Sequence, residues 1–184
     1  MRYFHKNEKE VINLSKRYFS SLKKGVDRKI LKYKSRQKNP QASVEAKKSE
    51  QAHFILGFLG YERTNEKRYE EGILATILGR GKSSRLFTEI REKRGLAYAV
   101  GSSVSHYVDT GIFETYVGVE PAKLEEAVKV ILDQSYGIPG KYPITPKELK
   151  KAKEYIKGHI ALSLEDTTNV NEFFGQRALF LPKI

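Results

Sequence analysis

The sequence predicts an α+β domain, a sheet containing antiparallel strands with helices packed on one face. Three observations point there. Residues Tyr98 to Val108 alternate with a period of two, turn at Asp109-Thr110-Gly111 and return along Ile112 to Val119 with the same period, which is the pattern of a hairpin. Several other stretches place apolar residues on one helical stripe. These helices gather beside a few strands instead of alternating strictly with them, as a parallel sheet would require.

In chain order, Glu8 to Leu22 puts Val11, Ile12, Ser15, Tyr18, Phe19 and Leu22 on one stripe, and Gly25 follows as a stop. Residues Lys34 to Lys48 are polar, carry Pro40 and hold no period, so they read as an exposed connection. The apolar run Gln51 to Phe58 is a strand. Thr64 or Asn65 can cap a helix through Leu78 that stops at Gly79, and Ser83 can cap another, Ser84 to Lys93, that stops at Gly95. In the hairpin, Tyr98, Val100, Ser102, Val104, His106 and Val108 share one face. Pro121 opens a helix carrying Leu124, Val128, Ile131 and Leu132. Thr145-Pro146-Lys147-Glu148 is a capping box with proline in the first turn, opening a long helix to about Leu164. A last helical stretch begins near Thr168, and the apolar segment FFGQRALFLPKI ends the chain as if cut.

At 184 residues and 39% hydrophobic content the chain can fill one core. No run approaches the roughly 20 apolar residues of a membrane-spanning helix, and MRYFHKNEKEV lacks a signal peptide's apolar stretch. The absence of cysteine excludes disulfides, thiolate zinc sites and a cysteine nucleophile, and is compatible with either the cytoplasm or the periplasm of a bacterium. A net charge of +12 raises the question of nucleic acid. A nucleic-acid reading needs basic residues clustered with aromatic or base-reading partners. The basic stretches, Arg28 to Lys38 and Lys147 to Lys157, the second around a helix whose other face is apolar, read as solvated faces, so no nucleic-acid partner is expected.

Two motifs fail on inspection. Gly79-Arg80-Gly81-Lys82-Ser83 suggests a phosphate loop, but Thr76 stands where the first glycine belongs and a helix precedes it instead of a strand. Of the four histidines, His5 begins an approximation to His-x-x-Glu-His, but Lys9 takes the second ligand's place. His53 lies in a strand, His106 along the hairpin, and His159 on the apolar side of a helix beside Tyr155, Ile156 and Ile160, where a partly buried, satisfied ring is expected. No metal is expected in this chain by itself. What remains is Ser83 to Tyr98, SSRLFTEIREKRGLAY. Arg91 ends a short helix, Gly95 reverses the chain and Tyr98 starts a strand, so a guanidinium and a phenol can converge from two elements. Both can donate to a peptide carbonyl or to the oxyanion it becomes, although an exposed arginine and a strand tyrosine are equally ordinary surface residues.

The segments KRYF (Lys16 to Phe19), QAHFILGF, LGRGKSSRLF, EIREKRGLAY, the Asp-Thr-Gly-Ile-Phe hairpin turn, YVGVEP and ITPKELKKAKEYIKG, in that order, resemble the C-terminal half of the insulinase, pitrilysin and mitochondrial-processing-peptidase family of zinc peptidases. The resemblance covers nearly the whole chain. It implies two similar α+β halves that close around a peptide substrate, with zinc and His-x-x-Glu-His in the absent N-terminal half, on the same chain or a partner subunit. It also implies that an arginine and a tyrosine seven residues apart, here Arg91 and Tyr98, bind the substrate backbone and stabilise the oxyanion. The turn holding Gly79, Gly81 and Ser83 lies near a glycine-rich substrate-sensing loop of processing-peptidase relatives, and those residues are further substrate-binding candidates. On this reading residues 1–184 are one domain excerpted from a longer two-half zinc metalloendopeptidase, truncated at both ends and inactive alone. The family also contains non-catalytic structural and partner subunits, which is the alternative reading.

Overall fold

A computed structural model describes residues 7–26 and 31–180; His5, the start of the basic stretch at residues 28–30 and the final LPKI tetrapeptide lie outside the described residues. The chain divides into two compact units, residues 1–32 and 33–184.

The first unit contains α1, Glu8–Phe19. The Asn7 side chain accepts the Glu10 N–H at 2.9 Å, and Glu8 and Glu10 in the first turn with Lys16 and Arg17 in the last complement the helix dipole. The helix ends earlier than its apolar stripe suggests. Ser20 turns its hydroxyl back onto the Arg17 carbonyl, a local bond that competes with continuation of the helix.

The second unit begins with a segment, residues 33–50, that is neither helix nor strand. Strands β1 (Ala52–Gly60), β2 (Ala97–His106) and β3 (Gly111–Val119) then form an antiparallel sheet of order β1-β3-β2. Strand β3 is central, and β1 pairs with it along its full length, from Ala52 opposite Val119 to Gly60 opposite Gly111. Phe113, Val117 and Val119 of β3 are buried on one face, beside Phe54, Leu56 and Phe58 of β1 and Val100 and Val104 of β2.

Four further helices follow: α2 (Arg68–Gly79), α3 (Leu124–Tyr136), α4 (Pro146–Ser163) and α5 (Thr167–Phe180). Ala75 and Leu78 of α2 and Ala127 and Ile131 of α3 close over the inner face of the sheet. Helix α2 starts at Arg68, later than Thr64 or Asn65 would place it. Asn65 caps a preceding turn instead, accepting the Lys67 N–H at 2.9 Å. The capping box of α4 forms as expected, with Thr145 Oγ1 accepting the Glu148 N–H and the Glu148 carboxylate accepting the Thr145 N–H. The segment expected as a plain helix over Ser84 to Lys93 becomes a π-helical turn, Phe87–Glu92, in which the Lys93 N–H reaches back five residues to the Thr88 carbonyl.

One departure concerns Tyr98. Ala97 pairs with Val119 but Ala99 pairs with Gly118, so Tyr98 is the extra residue of a β-bulge. Tyr98 therefore does not share the inner face of Val100, Ser102 and Val104. The bulge turns it outward, 52% exposed, while Ala97 before it is buried.

Candidate substrate-binding surface

The π-helical turn is anchored at both ends by its apolar residues: Leu86, Ile90 and Leu96 are buried in the core. The Leu96 N–H donates to the Ile90 carbonyl at 2.8 Å and the Gly95 N–H to the Arg91 carbonyl at 3.2 Å. This closure needs φ of +58° at Gly95, a left-handed conformation that costs a residue with a Cβ roughly 1–2 kcal/mol. Glycine at this position lets the turn reverse directly into the bulge, and so places Arg91 and Tyr98 on the two sides of one tight reversal.

Electrostatics separates Arg91 from its basic neighbours. Glu89 accepts from both Lys93 and Arg94, which hold its carboxyl below the usual range. Among the described residues no carboxylate pairs with Arg91; its guanidinium lies 5.1 Å from the centre of the Phe87 ring. Arg91 is exposed, and its guanidinium, over the Phe87 ring, keeps its N–H donors without a carboxylate partner among the described residues.

Tyr98 donates its hydroxyl to Glu120 Oε1 at 2.9 Å, and Glu120 is in turn 3.2 Å from the Lys123 ammonium. The carboxylate pushes the pKa of the phenol above its ordinary value, so Tyr98 keeps its proton. No hydrogen bond joins Arg91 to Tyr98 among the described residues. They present two independent donors, and nothing in their own sequence segment foreshadowed Glu120, which follows β3.

The turn itself is tied down from the side. Arg85 donates Nε and Nη2 to the two oxygens of Glu148 at 2.6 and 2.8 Å, and reaches the carbonyls of Tyr142 and Pro143. The bidentate arginine, assisted by Thr145, holds the Glu148 carboxyl down at about 2. Arg85 thus ties the turn carrying Arg91 to the N-terminus of α4. Its place in SSRLF was visible in the sequence; its partner 63 residues away was not.

Gly79, Gly81 and Ser83 do not form a single surface. Gly79 is buried where α2 meets β2, and a Cβ there would collide with the Ser102 backbone nitrogen. Gly81 and Ser83 are exposed in the turn that follows. Among the histidines, His53 Nδ1 lies 2.6 Å from the Tyr116 hydroxyl and His106 Nδ1 lies 2.9 Å from the Tyr61 carbonyl. His159 stacks on Tyr155 but is exposed, not partly buried. Among the described residues no three His, Cys, Asp or Glu side chains gather as a metal site, so these residues do not fit a resident zinc.

Comparison with known proteins gives this geometry its context. Residues 6–156 match the family described as the peptidase M16 inactive domain. An uncharacterized zinc protease of Streptomyces coelicolor is 41% identical over 133 residues, covering 72% of this chain and 29% of that protein. An uncharacterized zinc protease of Bacillus subtilis is 39% identical over 137 residues, covering 74% of this chain and 33% of that protein. The chain thus spans about a third of the length of these relatives. Among solved structures, a protease from Helicobacter pylori superposes with a TM-score of 0.76 at 25% identity, covering 94% of this chain and 42% of that one. A peptidase M16 inactive domain from Pseudomonas fluorescens gives 0.63 at 27% identity, covering 72% and 31%. The three-stranded antiparallel sheet with its helical cover, and the sequence matches that run through it, lead to one conclusion: this chain belongs to the peptidase M16 inactive-domain family.

Proposed function

We propose that this chain is the substrate-gripping C-terminal half of a zinc metalloendopeptidase, in which Arg91 and Tyr98 hold the peptide backbone and stabilise the oxyanion formed during hydrolysis. The metal belongs to the complementary N-terminal half, on the same chain or a partner subunit. The observation that carries this reading is the pairing of two exposed donors across the Gly95 reversal: a guanidinium with no carboxylate partner and a tyrosine that a bulge turns away from the core. Arg91 contributes a permanent charge and several N–H donors, and Tyr98 contributes one O–H held protonated by Glu120. A guanidinium without a carboxylate partner acts on charge as it develops, and Tyr98 joins it once its hydroxyl exchanges Glu120 for the substrate. Gly81 and Ser83, exposed in the preceding turn, are further candidates to contact the flanking residues of the peptide.

The test uses the complete enzyme with its zinc-bearing half. Arg91→Ala and Tyr98→Phe are each expected to lower kcat/KM about a hundredfold, while thermal unfolding shifts by no more than about 0.5 kcal/mol, since both side chains are exposed. Undiminished turnover in both variants would place the chain with the non-catalytic modules of its family instead.

A further inference from the structure

At the opposite end of the sheet, about 26 Å along β2 from Tyr98, a cavity of about 270 Å³ is lined by Arg63, Arg68, Tyr69, His106, Gln176 and Arg177. Its three guanidinium groups come from three places: the loop after β1, the first turn of α2, and α5. All three are half-buried. Each is held in place by carbonyls and a ring. Arg63 donates Nε and Nη2 to the His106 carbonyl and lies 4.3 Å from the centre of the Phe180 ring. Arg68 donates to the carbonyls of Arg63 and Asn65 and to the Tyr69 hydroxyl, over whose ring it stacks. Arg177 donates to the Phe173 carbonyl and stacks on the Phe173 ring at 3.3 Å.

None of the three has a carboxylate partner; among the described residues the arginines in ion pairs are Arg85 and Arg94. Glu71, the acid beside His106, accepts the Tyr61 N–H and stays 3.7 Å from His106 Nδ1. Three like charges therefore face one cavity without compensation, and each retains N–H donors, because five are available per guanidinium. A single carboxylate is satisfied by one arginine fork. Three forks from three directions match a tetrahedral group with several charged oxygens, and their summed charge matches a diphosphate. The volume falls below the usual range for a drug-sized ligand, roughly 300–1,000 Å³, which favours a small anion.

We infer that this cavity is a binding site for a small polyphosphoryl anion, of which pyrophosphate is the simplest probe, formed by the convergence of Arg63, Arg68 and Arg177 at the end of the sheet away from Arg91 and Tyr98. The inference stands apart from the peptidase reading, since none of its residues belongs to the proposed substrate surface.

Isothermal titration calorimetry of the 184-residue chain with pyrophosphate, inorganic phosphate and citrate, at near-physiological salt, tests it. Saturable one-to-one binding of pyrophosphate is expected, tighter than that of phosphate or citrate. Arg177→Gln should weaken it about tenfold or more. The Arg177 head group bonds only to its own helix, so circular dichroism should show an unchanged fold. Lys129→Gln removes the same charge from the exposed face of α3 and should leave the affinity as it was. Absence of saturable pyrophosphate binding would overturn the site, as would an Arg177→Gln protein that binds normally or equal losses in both variants. Citrate binding as tight as pyrophosphate would overturn the phosphoryl assignment.

Discussion

Tyr98 and Glu120 form a contact that must open for catalysis as proposed. The phenol has one proton, and it is donated to Glu120. To donate to a peptide carbonyl, Tyr98 must exchange a charged acceptor for a neutral one, and charge-assisted hydrogen bonds are roughly twice as strong as neutral ones. Glu120 therefore orients the hydroxyl and also competes with substrate. Glu120→Gln is expected to lower KM a few-fold in the complete enzyme with kcat maintained, and to bring the Tyr98 pKa back down toward its ordinary value. Steady-state kinetics and NMR titration of the Tyr98 ring carbon give the two readouts. An unaltered KM would mean that Tyr98 binds substrate without leaving Glu120. At this scale the sequence revealed less than it suggested. Arg91 and Tyr98 stood out by spacing and resemblance, but strict alternation from Tyr98 to Val108 put Tyr98 on one face with Val100, Ser102 and Val104. A bulge inserts one residue without disturbing the pattern on either side, and it separates Tyr98 from that face.

At the scale of the elements, the reversal that presents Arg91 depends on two separate supports. Gly95 lies in the left-handed region with open space around its Cβ position, so Gly95→Ala is disfavoured by backbone conformation alone, by about 1 kcal/mol, and denaturant unfolding should register that loss. Arg85 and Glu148 supply the other support, and it depends on pH. Glu148 titrates at about 2 in the folded chain against an ordinary 4.5, so its stabilisation is complete above about pH 4.5 and is lost as pH falls toward 2. Glu148→Gln is expected to destabilise the chain at pH 7 by about 1–2 kcal/mol, an allowance reduced for partial solvent screening. The difference from the parent chain should shrink as pH drops from 5 to 2.5. Thermal melts across that range measure it, and a gap independent of pH would show that the carboxylate charge is not what holds the turn. The Thr145 capping box and the hairpin were legible because their signals are local, within four residues or across one turn. The Arg85 fork and the π-helical widening depend on distant packing, and no local spacing encodes them.

For the molecule as a whole, the sequence indicated the layers but left the strand order open. Strands β2 and β3 announce their pairing through one short turn, whereas β1 joins β3 across an intervening helix, a π-helical turn and all of β2, and only the finished core selects that edge. The same distinction applies to metal. A zinc site can be assembled from residues far apart in sequence, so single histidines cannot exclude one; the fold must show which side chains meet. Here His53 faces Tyr116, His159 lies on Tyr155, and His106 faces the Tyr61 carbonyl with Glu71 as the one carboxylate beside it, so among the described residues no three such ligands gather. The stability of this chain should accordingly be independent of zinc. A metal that bound only the folded form at a hundred times its Kd would add about 2.7 kcal/mol, which for a domain of this size is a shift of several degrees in Tm. Calorimetric melts of the 184-residue chain after exhaustive chelation, and again with added zinc, should superimpose within about one degree, while the complete enzyme loses activity under the same chelation. A chelation-sensitive Tm in the isolated chain would relocate metal binding into this half and undo the division of labour proposed above.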